Sequence, residues 1–138
     1  MKTALRTFIT IALIAVMSVP VWGRRMPGDK VGVSFDTLIY DFGTVSASAP
    51  AVKHEYVFEV TGKQPVAILY ATPSCGCTAS DFPRKPVKPG EKGIIKVTFD
   101  PKGQKGEVEK DVRVRFKNGA DKSEQLTLRI RGVVLPAK

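Results

Sequence analysis

The chain has 138 residues, 43% hydrophobic and 25% charged, the composition of one globular domain rather than a disordered chain. Two cysteines exclude a disulfide-dense scaffold, and a single histidine excludes a site built on two imidazoles. Lys+Arg 22 against Asp+Glu 13 gives a basic net charge of +9, and these limits together suit a small non-enzymatic module better than an enzyme.

Residues 1–23 read as a signal helix. Lys2 and Arg6 open it, an apolar run follows from Phe8 to Met17, and Pro20 breaks the run. Val21 and Gly23 sit three and one residues before the expected cut. The competing reading is a retained anchor, because Arg24 and Arg25 follow directly and basic residues there resist translocation. The apolar stretch is short for a spanning helix, which needs about 20 residues. No cysteine lies near its end to take a lipid. Cleavage removes Lys2, Arg6 and the sole tryptophan, Trp22, so the net charge falls from +9 to +7. The expected location is outside the cytoplasm, periplasmic or extracellular, with no membrane-spanning segment left after cleavage.

Residues 24–33 form a lead-in, and residues 34–138 are expected to form the domain. Val31–Asp41 is irregular. Val52, His54, Tyr56, Phe58 and Val60 share one face of a strand, while Lys53, Glu55 and Glu59 face the other way. Thr61–Pro65 is a turn. Val66–Thr72 is apolar on both faces, which suggests a central position in a sheet. Pro83, Pro86 and Pro89 define a rigid loop or edge segment, because proline cannot donate to a central ladder. Pro89-Gly90 fits the middle of a type II turn. Ile95, Val97 and Phe99 alternate with Lys96 and Thr98. Asp100–Gly103 is another turn. Val108, Val112, Val114 and Phe116 alternate with Glu109, Asp111, Arg113 and Arg115. Lys117-Asn118-Gly119 turns the chain once more, and Leu126, Leu128 and Ile130 alternate with Thr127, Arg129 and Arg131. This pattern describes an all-β protein, an immunoglobulin-like antiparallel β-sandwich of about seven strands. The bridged distant cysteines and core tryptophan of antibody domains have no counterpart here. Core cohesion must come from Val, Ile, Leu, Phe and Tyr.

Several phrases fall in a telling order: Tyr40-Asp41-Phe42-Gly43-Thr44-Val45, His54-Glu55-Tyr56-Val57-Phe58, Ser74-Cys75-Gly76-Cys77-Thr78, Pro89-Gly90-Glu91-Lys92-Gly93 and Phe99-Asp100-Pro101. Over residues 34–134 the chain resembles the secreted bacterial family called domain of unknown function 1573. Ser-Cys-Gly-Cys-Thr is the most specific element of that likeness. The resemblance implies export and an immunoglobulin-like sandwich, and carries no activity with it. Family members often read Asn-Thr-Gly where Val60-Thr61-Gly62 stands here, a departure that bears on a local bend.

Cys75-Gly76-Cys77 is the candidate for chemistry. Glycine lets the backbone fold sharply and bring both sulfurs to one side. Three arrangements are open to the pair. An oxidising compartment closes them into a small, strained and therefore labile disulfide. Alternatively, the thiolates hold Cu(I) or zinc with His54 as a third ligand. Or the pair is structural, tied by local hydrogen bonds. No helix signal follows Cys77, which argues against the helix-mounted cysteines of oxidoreductases. His54 lies on an apolar face, where a lone histidine is more often a packed strand residue than a ligand. Asp41, Asp81 and Asp100 stand at turns and strand ends as backbone caps. Paired catalytic carboxylates, a phosphate loop and a nucleophile elbow are all missing from the sequence.

The lysines from Lys85 to Lys122 are interspersed with Glu91, Glu107, Glu109, Asp111 and Asp121, the signature of a solvated surface. Aromatics fall on core faces, so nucleic acid is not an expected partner. The expected function is an exported binding or scaffold module, with an envelope protein or an anionic envelope polymer as partner and no cofactor. The alternative is a thiol-redox or soft-metal (copper or zinc) protein centred on Cys75 and Cys77.

Overall fold

The computed structural model describes residues 25–138. The signal segment expected over 1–23 lies outside the described residues. Eight strands follow one another: β1 (Val33–Phe35), β2 (Ile39–Ser46), β3 (Val52–Val60), β4 (Val66–Pro73), β5 (Thr78–Asp81), β6 (Lys92–Phe99), β7 (Gly106–Asn118) and β8 (Ser123–Leu135). The alternation read from the sequence sets their faces. Tyr56, Phe58 and Val60 of β3, Ile95, Val97 and Phe99 of β6, and Val112, Val114 and Phe116 of β7 are buried, whereas Lys53, Glu55, Glu59 and Lys96 are exposed.

Two four-stranded sheets pack face to face, with strand orders β1-β3-β6-β5 and β2-β8-β7-β4. This is the immunoglobulin-like arrangement, with the first strand divided between the sheets. β1 pairs antiparallel with β3. Asp36 N–H still donates to Val57 O of the first sheet (3.4 Å), while Arg129 N–H of the second already donates to Leu38 O (2.8 Å). The chain crosses without reversing, so β2 keeps its heading and runs parallel to β8. The second sheet is therefore mixed, not wholly antiparallel as expected. The division also explains eight elements in place of about seven.

β4 also departs from expectation. Apolar on both faces, it was expected at the centre of a sheet, yet it is an edge strand paired only with β7. A register shift between Ile68 and Tyr70 turns extra apolar side chains outward, leaving Leu69 53% and Tyr70 41% exposed. The Pro83–Pro89 segment flanks this edge, and Val66 and Val87 exchange backbone hydrogen bonds of 2.9 and 2.8 Å. Lys88–Glu91 is the expected turn: Glu91 N–H donates to Lys88 O (3.0 Å), and Gly90 takes φ of 79°, which the second central position of a type II turn requires.

The main core holds Val33, Tyr56, Phe58, Ile95, Phe116 and Leu128 between the sheets. Val31 and Val33 are 1% and 2% exposed, so the lead-in contributes to this core. Phe35, Phe58 and Phe116 form an aromatic trio with centroids 5.5–5.9 Å apart. A second cluster gathers Phe99, Val108, Ile130 and Val134, with Phe42 and Cys77 packed against it. Such burial holds the sheets together through apolar area, at roughly 25 cal/mol per Å² removed from water. Among the described residues, no helix is long and apolar enough to cross a membrane.

Candidate functional site

The cysteine turn sits where the chain passes from β4, an edge of the second sheet, to β5, an edge of the first. Both ends of the turn are anchored. Ser74 N–H donates to Asp111 O (2.8 Å), and Asp111 N–H donates to Ser74 Oγ (3.1 Å). At the other end, Asp100 N–H donates to Cys77 O (2.9 Å). Between the anchors, Thr78 N–H donates to Cys75 O (3.3 Å), which folds the two cysteines towards each other. They form a disulfide with Cα atoms 5.4 Å apart. The turn does not use the left-handed region at Gly76, which is absent from the glycines of positive φ.

Thr78 was not singled out by the sequence. It is the sole buried polar residue among those described, 5% exposed. Its Oγ1 lies 3.6 Å from Cys75 Sγ and 3.8 Å from Cys77 Sγ. Disulfide sulfurs carry no hydrogen, so the hydroxyl is the donor. Both cysteines are half-buried and Gly76 is exposed.

His54 packs between two tyrosine rings. Its ring stacks on Tyr40 with centroids 3.8 Å apart and meets Tyr56 edge-on at 4.6 Å. Burial pushes its pKa below the ordinary 6.5, with Glu55 acting weakly in the opposite direction. Its buried Nε2 has no hydrogen-bond partner among the described residues. Tyr56 beside it donates its hydroxyl to Arg129 O across the sandwich (2.6 Å), and burial pushes its pKa up to about 12. Among the described residues, no three His, Cys, Asp or Glu side chains come together as a metal-holding group. With its sulfurs bonded to each other, the oxidised pair offers no thiolate to copper or zinc.

The three turn aspartates serve the backbone. Asp41 accepts Gly43 N–H (2.8 Å), Asp81 accepts Phe82 N–H (3.0 Å) and Asp100 accepts Lys102 N–H (2.9 Å). Some charges on the outer strand faces are paired. Lys96 meets Glu55, Lys117 meets Asp121, and Arg129 forks onto Asp111 at 2.7 and 3.2 Å. The arginines of β7 and β8, expected on the polar faces of their strands, share one face of the sheet once the strands are paired.

The outer side of the β4 edge is different. Pro65, Ala67, Leu69 and Pro86 line a shallow apolar depression of about 190 Å³. Tyr70 stands beside it, its hydroxyl donating to Gln125 Oε1 (3.0 Å). Sequence reading noticed the apolar character of this strand. Only the position at the edge makes that character available to a partner.

The sheet order and the split first strand define the class: an immunoglobulin-like β-sandwich carrying a disulfide-closed turn between its sheets. Residues 33–134 match the family described as protein of unknown function DUF1573, and the chain belongs to that family. No curated protein matches it in sequence. Among solved structures, it is similar to the PapD-like domain 7 of human CEP192 (14% identity, TM-score 0.62), covering 83% of this chain and 93% of that one. It is also similar to the VesB protease of Vibrio cholerae (15% identity, TM-score 0.62), with 74% of this chain covered but only 32% of the protease. The periplasmic chaperone SfaE (10% identity, TM-score 0.52) is matched over 78% of this chain and 59% of its own. At such identities the likeness carries the fold alone.

Proposed function

We propose that the chain is an exported, non-enzymatic binding module of the bacterial envelope that holds an extended segment of a partner protein against the edge of β4. The carrying observation is the exposure of Leu69 and Tyr70 at the bulge of an edge strand. An added strand gains main-chain hydrogen bonds from the edge and specificity from the side-chain depressions beside it. Among the described residues, hydrogen bonds reach the free side of this edge at two points. Val87 pairs with Val66, and Ser80 Oγ donates to Ala71 O (2.7 Å). Support for an envelope role comes from the signal segment read in the sequence and from the fold shared with a periplasmic chaperone.

The test is site-specific photocrosslinking in envelope extract, with the probe at position 69 or, as control, at position 59 on the opposite sheet. The expected result is a protein adduct at 69, absent at 59, whose crosslinked peptide maps to one segment of the partner. Equal adducts at both positions overturn the proposal. So does capture of only an anionic polymer, or of nothing.

A further inference from the structure

We propose that Cys75–Cys77 is an exchangeable disulfide that oxidises an exported protein dithiol through attack at Cys75 Sγ. The proposal goes beyond partner binding and makes no use of the exposed apolar edge of β4.

Three observations carry it. First, the turn is accessible: apart from Cys75 and Cys77 themselves, no heavy atom lies within 4 Å of where a Cβ on Gly76 would sit, and both cysteines are half-buried rather than sealed. Second, the sulfurs are unequal. Cys77 packs against the cluster of Phe99, Val108, Ile130 and Val134, which shields it, whereas Cys75 is outside that cluster. An incoming thiolate therefore meets Cys75 Sγ, and Cys77 becomes the leaving group. Third, the buried Thr78 hydroxyl stands 3.8 Å from Cys77 Sγ and 3.6 Å from Cys75 Sγ. A hydrogen bond to a departing thiolate favours its charged form, and a thiol of lower pKa leaves faster.

The exchange balances in two steps. The dithiol's first thiolate bonds to Cys75 Sγ as the Cys75–Cys77 bond breaks. The electron pair of that bond stays on Cys77 Sγ, which takes a proton. The dithiol's second thiolate then attacks its own sulfur in the mixed disulfide. Cys75 Sγ leaves with the electron pair and takes the second proton. The dithiol is oxidised to a disulfide, the cysteine pair is reduced to two thiols, and both protons come from the dithiol. None of the hydrogen bonds of Ser74 and of Cys77 O that anchor the turn runs through the sulfurs, so the fold persists through the cycle.

The experiment follows the reduction of the purified, oxidised protein by dithiothreitol in buffer, quenched by alkylation and read by mass. The folded protein is expected to be reduced without denaturant. Thr78→Val should slow reduction about fivefold or more, the effect of a poorer leaving thiolate. Thr78→Ser, which restores the hydroxyl, should recover the rate, separating hydrogen bonding from a packing defect. With glutathione and rapid N-ethylmaleimide quenching, the trapped glutathione adduct should lie on Cys75 and the maleimide on Cys77. Reduction only at denaturant concentrations that unfold the chain overturns the proposal. An unchanged rate in Thr78→Val, a Thr78→Ser protein as slow as Thr78→Val, or an adduct on Cys77 also overturns it.

Discussion

Replacing Gly93 by alanine probes how tightly the sheets are fitted. Gly93 lies opposite Phe58 in the β3–β6 ladder. A Cβ there would stand 2.3 Å from Phe58 Cζ and 2.5 Å from Cε1, well inside contact distance. The ring cannot swing away. It is 1% exposed and held between Phe35 and Phe116, with centroids 5.6 and 5.5 Å from its own. Overpacking of this kind costs about 1–3 kcal/mol. Alanine regains about 0.5–1 kcal/mol of the backbone entropy that glycine loses in a strand. Because the Phe58 ring cannot yield, the cost lies in the middle of its range or above, and the expected net loss is about 1–2 kcal/mol. With a melting entropy of about 2.1 cal/mol/K per residue over the described chain, Tm should fall by about 4–8 °C. Urea titration should show a lower midpoint at unchanged slope, since the surface exposed on unfolding is the same. Phe58→Leu makes room for the methyl group, so the double variant should be more stable than the sum of the single changes by about 1 kcal/mol. A Gly93→Ala protein melting within about 2 °C of the parent, or strictly additive effects, would refute the reasoning.

Further expectations concern the other fixed points. Cys75→Ser/Cys77→Ser closes no ring, and because the lost ring spans only three residues, the loop-entropy relation gives a loss of about 1.6 kcal/mol. Calorimetry should find a single cooperative transition at lower temperature; an unfolded double variant would contradict the hydrogen-bonded anchoring of the turn. Tyr56→Phe removes the donor to Arg129 O and should cost about 1–2 kcal/mol in urea, an expectation that fails if the variant is as stable as the parent. Burial lowers the folded-state pKa of His54 below 6.5, so the unfolded chain takes the proton first as pH falls. Its contribution to stability should therefore decline below pH 6.5 and level off beneath the folded-state pKa. His54→Phe keeps the stack on Tyr40 and should flatten that part of the pH profile, whereas an unchanged profile would show that other groups govern it. If the signal segment is removed together with Trp22, the exported protein should lack tryptophan emission, and an indole spectrum would show retention.

The buried faces of β3, β6, β7 and β8 were legible because a period of two, with one charged face, admits few other readings. The position of each strand in its sheet was less so. β4 misled because burial on both faces and apolar exposure at a bulged edge look alike in one dimension. The parallel run of β2 depends on a crossing by residues 36–38, which carry no turn signal. β5, with Thr78, Ala79, Ser80 and Asp81, offers almost no apolar pattern and forms because β6 supplies the ladder. At the candidate site, the spacing of the cysteines made their meeting foreseeable, but the role of Thr78 needed its burial to be seen. His54 was placed on the right face, yet its stack on Tyr40 joins strands of different sheets, and no local pattern encodes such a contact. Gly93 was read only as the end of the Pro89–Gly93 phrase, although an isolated glycine inside a strand often marks close approach.

The divided first strand has a consequence for self-association. β1 covers β3, and β2 covers the thirteen-residue β8. Loss of the chain before the loop at residues 47–51 would expose both strands as unpaired edges, each a template on which a second molecule could add its own strand. The leading segment thus occupies two positions that would otherwise be open to strand addition. A nick within the crossing at residues 36–38, which frees β1 while β2 stays paired, should promote strand-swapped dimers or fibres more readily than a cut in any hairpin turn.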